Sequence, residues 1–449
     1  MGTLLLKGAR VVSPGVDLPR ADVAIKGDRI VAVSETPLPA ADETVDVAGL
    51  VVAPGFIDIH THGRSGRDFC DLTDEAFDVM GRDRLKDGVT GFLATGLTRP
   101  ESDLAELCRC VERYKARTAS PSTPQPFNHS TPQPFNHSTP QPFNFSTFQP
   151  SNFSTFQPSN FSTCLGVHLE GPFFNPEMAG AQNPAYLRNP DLGMVERLHA
   201  ISPVKKVSFA PELEGSEDFV RGLVRLGIVA SGGHSAADFA TFERARAAGM
   251  THLTHFCNAM IPIHHLRPSM VTGGLLADDV FVEMICDGVH LSDPMIALIS
   301  RMKGPDRTML ITDSMCAAGC PDGMYSLGGL RVRVADGCAR LADVPYDPKS
   351  VVSNVAGSVA LFHRCFQRYA RVSGLPLAEA IKATSWNQCV SLGIPDRGKV
   401  EPGFVADLVL LDRELNPVAA MVNGRLAESI AIGQRMASQR GTGVSPVQR

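Results

Sequence analysis

The chain has 449 residues, enough for one large domain or two to three ordinary ones. Its 42 Lys and Arg against 47 Asp and Glu leave a formal net charge of −5, which argues against binding nucleic acid or a membrane surface through bulk electrostatics. Hydrophobic residues at 43% and charged residues at 20% supply a large core, yet no uninterrupted apolar run reaches the roughly 18 residues that would suggest a membrane span. The N-terminal MGTLLLKGARVVSPG has too short an apolar run for a signal peptide. Eleven scattered cysteines, an odd number, therefore read as reduced thiols of a cytoplasmic protein rather than a disulfide framework.

The first 50 residues (LLLKGARVV, ADVAIKGDRIVAV, ETVDVAGLVV) read as short strands separated by turn signals. From there the texture changes. Apolar runs at 51–59, 88–96, 164–169, 205–210, 227–233, 251–256, 280–286 and 308–312 fit buried strands. Amphipathic stretches at 74–86, 101–117, 215–226, 236–248 and 293–302 separate them. Eight strands alternating with helices predict a closed parallel (β/α)8 TIM-like barrel. Near the C-terminus GKVEPGFVADLVLLD and VAAMVNGRLA return to the opening texture, so a small flanking β-sandwich domain is expected from both chain ends. The expected division is 1–53 and 391–435 for the small domain, 54–390 for the barrel and 436–449 for a disordered tail.

One segment stands outside this rhythm. From Ser122 to Phe161 an uncharged octapeptide repeats five times, beginning STPQPFNH and ending STFQPSNF. Repeats that build a stackable solenoid need roughly 20 or more residues, so 118–163 is expected to be a disordered insertion. Lying between a helix and the following strand, it leaves the barrel opposite the face where active-site groups converge.

Polar residues mark the expected strand ends. His60 and His62 close the first, Glu170 the third, His234 the fifth and His255 the sixth; His290 follows the seventh and Asp313 ends the eighth. Residues two apart in a strand point the same way, so His60 and His62 can share one metal. Imidazole and carboxylate suit zinc and other first-row divalent metals. His168 and His252 also fall near the mouth, whereas His199 and His363 read as structural. No Gly-rich dinucleotide loop and no GxSxG supports hydride transfer or serine hydrolysis.

The stretch PGFIDIHTHG (54–63) resembles the amidohydrolase superfamily. The order HLEGPFFNPEMAGAQNP (168–184), GGHS, THFCNAM (254–260), DGVHL and TDSM is similar to the N-acetylglucosamine-6-phosphate deacetylases. The resemblance implies hydrolysis of an acetamide on an amino-sugar phosphate by a cytoplasmic homodimer or higher homo-oligomer. It implies that Glu170, His234 and His255 hold the principal metal, with His60, His62 and a bridging Glu170 forming a second site. One or two divalent ions per chain follow, zinc foremost, with iron, manganese or cobalt as alternatives. Asp313 is implied as general base and acid and His290 as the group polarising the acetyl carbonyl. Asn258, Ala259 and Arg267 are implied to hold the sugar phosphate, Arg267 from a neighbouring subunit. Gln182 stands where the family commonly has His, which alters a substrate contact, and HHLRPSM replaces the usual HREPG-like stretch, leaving His264 or His265 as alternatives to Arg267. The competing expectations are hydrolysis of another N-acyl amino sugar or N-acyl amino acid, or a non-catalytic barrel used for binding or assembly.

Overall fold

The computed structural model describes residues 2–119, 161–345 and 354–427. Eight parallel strands form one continuous sheet: β1 Phe56–Asp58, β2 Val89–Gly96, β3 Thr163–Glu170, β4 Val204–Phe209, β5 Val229–Gly232, β6 His252–Leu253, β7 Phe281–Met284 and β8 Thr308–Leu310. A helix follows each: α1 Asp74–Asp83, α2 Glu101–Ala119, α3 Leu192–Ile201, α4 Ser216–Arg225, α5 Phe239–Ala248, α6 Met270–Leu276, α7 Asp293–Lys303 and α8 Phe362–Ser373. Strand β2 is buried at all eight positions, as a parallel strand covered on both faces must be. The side chains of Thr73, Asp191 and Asp238 cap α1, α3 and α5 by accepting from the backbone N–H of Ala76, Met194 and Thr241. Helix α4 turns Phe219, Val220 and Leu223 inward and keeps its charged residues outside.

The barrel closes by side-chain and loop bonds rather than by a ladder, since β1 and β8 are not paired among the described residues. The buried Asp58 carboxylate crosses this seam, accepting from the Thr312 hydroxyl at 2.6 Å. Above it, Asp313 N–H donates to His60 O at 2.9 Å and His62 N–H to Ser314 O at 2.8 Å. The seam thereby sets residues of both strand ends side by side.

The expected strand at 51–59 is in fact two. Val51–Pro54 belongs to the flanking sheet and Phe56–Asp58 to the barrel, with Gly55 as the crossing point. A Cβ at Gly55 would lie within 2.8 Å of three Thr90 side-chain atoms, so only glycine lets the chain pass this close to β2. The expected strand at 251–256 shrinks to two residues because the backbone turns sharply after Leu253 toward His255, whose φ is 30°.

The flanking sheet joins Thr3–Ser13, Val16–Lys26, Arg29–Ser34, Glu43–Asp46 and Val51–Pro54 to Leu408–Leu411, Pro417–Val422 and Arg425–Leu426. Its own core includes Leu6, Val11, Val23 and Ile25 from the first half and Leu408, Leu410 and Met421 from the second. An unanticipated antiparallel sheet, Gly323–Leu327, Leu330–Ala335 and Cys338–Leu341, follows β8. All eleven cysteines are free, and among the described residues no helix is long and apolar enough to cross a membrane.

The octapeptide tract, except its last residue Phe161, and the expected tail at 436–449 lie outside the described residues. The flanks of the tract are close: the Tyr114 hydroxyl on α2 donates to Ser162 O at 2.7 Å. Phe161 packs on Tyr114 with ring centroids 6.0 Å apart. These contacts between α2 and the C-terminal flank lie next to the start of β3, whereas Glu170 is its last residue. Replacing 122–160 by a short Gly/Ser linker is expected to leave thermal stability unchanged or raised by up to about 2 kcal/mol, because a shorter loop costs less entropy to close. A marked fall in the unfolding midpoint of the linker variant would contradict this.

Candidate active site

At the C-terminal mouth of the barrel, four side chains from three strand ends converge. His60, His62, Glu170 and Asp313 offer ligand atoms within 4.8 Å of one another, and Glu170, His234 and His255 form a second such group. Glu170 is common to both. Its Oε1 lies 3.3 Å from His60 Nε2, 3.3 Å from His234 Nε2 and 3.2 Å from His255 Nε2. Its Oε2 lies 3.1 Å from His62 Nε2. Asp313 Oδ1 sits 3.1 Å from His62 Nε2 and 3.5 Å from His60 Nε2. All six residues are buried, none above 7% exposed, so water does little to screen these charges.

The backbone is bent to deliver them. His234, His255 and Asp313 take φ of 48°, 30° and 49°, a left-handed region that costs a non-glycine residue of order 1–3 kcal/mol and that clusters at functional sites. Each lies just past the end of its strand, where the turn swings the side chain over the barrel axis.

The imidazoles are oriented for coordination. His62 Nδ1 lies 3.2 Å from Thr95 O and His234 Nδ1 lies 2.9 Å from Met178 O, so an Nδ1–H donor leaves each Nε2 lone pair facing the cluster. His60 Nδ1 faces Glu283 Oε2 at 3.4 Å. The buried Nε2 atoms of His60 and His62 make no hydrogen bond although they point at carboxylates. Such orphaned nitrogens aimed at one centre fit a cation, and the donor set suggests a divalent metal. The electrostatics agree. Burial would lower the His60 pKa, but the Glu170 and Asp313 carboxylates outweigh it and raise it to about 9. His62 rises well above its ordinary value against the same burial, for the same reason. Glu170 is held well below the usual carboxylate range: burial opposes this, and His60 and His62 prevail. The cluster is built to hold positive charge.

Above it an open cavity is lined by His62, Glu170, Gln182, His234, His255, Asn258, Ala259, His290 and Asp313. His290 is fixed by its Nδ1, 2.8 Å from Asp287 Oδ2. Burial would lower its pKa, yet Asp287 raises it. Gln182 is buried, its Nε2 donating to Glu170 Oε2 at 2.6 Å and its Oε1 accepting from Thr98 N–H at 2.8 Å. The amide therefore grips the shared carboxylate while forming part of the wall. Arg267 is exposed and, with His264 and His265, does not line this cavity.

His168 and His252 stay below the mouth. His168 packs edge-on against His60 with centroids 4.6 Å apart and bonds Ser208 Oγ at 2.8 Å. His252 stacks on Phe281, and burial lowers its pKa to about 3. His363 pairs with buried Asp87 at 3.4 Å, a structural contact. Sequence reasoning did not single out the apolar wall formed by Leu97, Ala181, Leu327 and Val355. Leu327 comes from the unanticipated antiparallel sheet, where only a two-residue alternation would have pointed to it.

A (β/α)8 barrel with histidines and carboxylates converging at its C-terminal mouth is the architecture of a metal-dependent hydrolase. Residues 158–427 match the amidohydrolase family, and the chain belongs to it. An N-acetylglucosamine-6-phosphate deacetylase of Bacillus subtilis is 31% identical over 431 residues, covering 95% of this chain and 97% of that protein. The crystal structure of the Thermotoga maritima N-acetylglucosamine-6-phosphate deacetylase is 34% identical with a TM-score of 0.75, covering 94% of this chain and 99% of that one. A mutant of the Mycobacterium smegmatis deacetylase in complex with N-acetyl-D-glucosamine-6-phosphate is 29% identical with a TM-score of 0.79, covering 95% and 99%.

Proposed function

We propose that this protein hydrolyses the acetamide of N-acetylglucosamine 6-phosphate to glucosamine 6-phosphate and acetate. The observation that carries this reading is the meeting of Asp313 with two histidine groups that share Glu170, under a cavity walled by His290, Asn258 and Ala259. Glu170, His234 and His255 would hold one divalent cation, and His60, His62 and Glu170 a second, with zinc the best match to the donor set. When bound, a cation there lowers the pKa of water and draws charge from an amide oxygen.

The chain's own groups do the rest. Asp313 has a pKa below its ordinary value because His60 and His62 outweigh its burial, so it is ionised at neutral pH. It takes a proton from the attacking water and gives it to the departing amine. His290, oriented by Asp287, stabilises negative charge developing on the acetyl oxygen. Leu97, Ala181 and Leu327 form an apolar part of the wall beside these groups, which limits the water that can screen them. Asn258, the Ala259 backbone and Gln182 bear on the sugar. Arg267, outside its own chain's cavity, serves the phosphate of a neighbouring subunit's substrate in a cytoplasmic homo-oligomer.

The test is acetate release from N-acetylglucosamine 6-phosphate against unphosphorylated N-acetylglucosamine and N-acyl amino acids. The phosphorylated sugar should have by far the highest kcat/KM; equal rates on all would overturn the assignment. Arg267→Ala should raise KM for the phosphorylated sugar by ~10-fold or more and leave the unphosphorylated analogue little changed, since guanidinium–phosphate pairing is charge-assisted and bidentate. Equal effects on both would remove Arg267 from the phosphate site.

A further inference from the structure

Below the mouth, inside the barrel, lies a charged pair that the reaction does not use. Glu283 on β7 and Lys206 on β4 are both 0% exposed, and the Lys206 ammonium is bonded to Glu283 Oε1. Lysine and glutamate are almost never fully buried unless paired, and a buried pair is commonly no more stabilising than apolar residues of the same volume. Packing alone therefore does not account for it.

The other carboxylate oxygen supplies a reason. Glu283 Oε2 lies 3.4 Å from Nδ1 of His60, the imidazole whose Nε2 faces Glu170 at 3.3 Å and Asp313 at 3.5 Å. The remaining histidines of the cluster are treated differently. His62 and His234 rest their Nδ1 atoms on the backbone oxygens of Thr95 and Met178, and the His255 Nδ1 has no hydrogen-bond partner among the described residues. Of these four histidines, His60 alone has a carboxylate behind its Nδ1 among the described residues. An anion on Nδ1 fixes the proton there, turns the Nε2 lone pair to the cluster and makes it a better donor to a metal. Glu283 is held at two points, its backbone O accepting from Phe256 N–H at 2.7 Å and its side chain tied to Lys206.

We propose that Glu283, clamped by Lys206, is a positioning residue for His60 and sets how tightly the His60–His62–Glu170 site holds its cation. This rests on the reading that the site takes a second cation. Because His60 belongs to that site and not to the Glu170–His234–His255 group, the effect is confined to one of the two metal equivalents.

The experiment measures zinc bound per chain by equilibrium dialysis over a series of free zinc concentrations, on the full-length protein, with unfolding midpoints alongside. Glu283→Gln alone leaves the Lys206 ammonium buried without its partner and can unfold the chain. The double variant Lys206→Met with Glu283→Gln removes both charges at nearly constant volume and keeps the test open. Wild type should bind two equivalents. The double variant should bind the first with unchanged affinity and the second ~10–100-fold more weakly, the usual cost of losing the partner behind a metal-bound histidine. A second equivalent bound as in wild type, or both equivalents weakened alike, overturns the positioning role while leaving the two-cation reading intact. Wild type that never exceeds one equivalent overturns both.

Discussion

Asp313→Asn should lower turnover by the ~10²–10⁴-fold typical of a lost general base while leaving the bound metal largely in place. The backbone around the residue is fixed independently of its carboxylate. Asp313 N–H donates to His60 O at 2.9 Å, and its own O accepts from Ser358 N–H at 2.8 Å. Asparagine therefore inherits the same turn, and its carbonyl oxygen can occupy the place of Oδ1, 3.1 Å from His62 Nε2. What it lacks is the ability to accept a proton from water and return it to the amine. The loss should fall on kcat with KM nearly unchanged, because the group acts on the reacting atoms and not on the sugar or phosphate. Acetate release and elemental analysis on the same preparation decide the matter. A variant within a few-fold of wild type would end the general-base assignment, and one that loses its metal would make Asp313 chiefly a ligand.

The barrel was readable because of how parallel strands are buried. Strands covered on both faces, such as Val89–Gly96, read as continuous apolar runs, so a charged or imidazole residue at the end of one stands out. That contrast picked out His60, His62, Glu170, His234, His255 and Asp313, and the structure brings all six to one centre. The same reasoning failed where backbone geometry overrode the pattern. Nothing in the apolar run 51–59 says that it serves two sheets; the steric demand at Gly55 comes from Thr90, 35 positions away. In the Leu330–Ala335 strand, buried Val332 and Val334 alternate with exposed Arg331 and Arg333, the pattern of a half-exposed antiparallel strand and not the continuous apolar run of a strand covered on both faces. Buried charge was the least legible feature. Lys205 and Lys206 look alike in KKVSFA, yet the second is wholly buried, because Glu283 waits for it on a strand 77 residues further on. Arg64 is similar: it follows the HTHG motif as an ordinary polar loop residue, but it is buried against Asp87.

Glu170→Gln should have the widest effect of any single substitution, because one carboxylate serves both groups. Its Oε1 faces the Nε2 atoms of His60, His234 and His255, and its Oε2 faces His62 Nε2 at 3.1 Å and receives Gln182 at 2.6 Å. Glutamine keeps the volume and loses what matters. In either orientation its NH2 end points at one or more of these ring nitrogens and its other end is only a neutral carbonyl oxygen, and the negative charge that holds His60 and His62 above their ordinary pKa is gone. Gln182, whose Nε2 donates to Oε2, would face an amide nitrogen in one of the two orientations, so the wall of the cavity is disturbed as well. Zinc affinity should fall at both equivalents, each by more than the ~10–100-fold cost of losing a partner behind a ligand, and acetate release should fall with it. The contrast with single-sided changes makes this decisive. His60→Ala should weaken only the equivalent bound with His62, and His255→Ala only the one bound with His234. If Glu170→Gln keeps either equivalent at wild-type affinity, the carboxylate does not bridge, and the two histidine groups belong to independent sites.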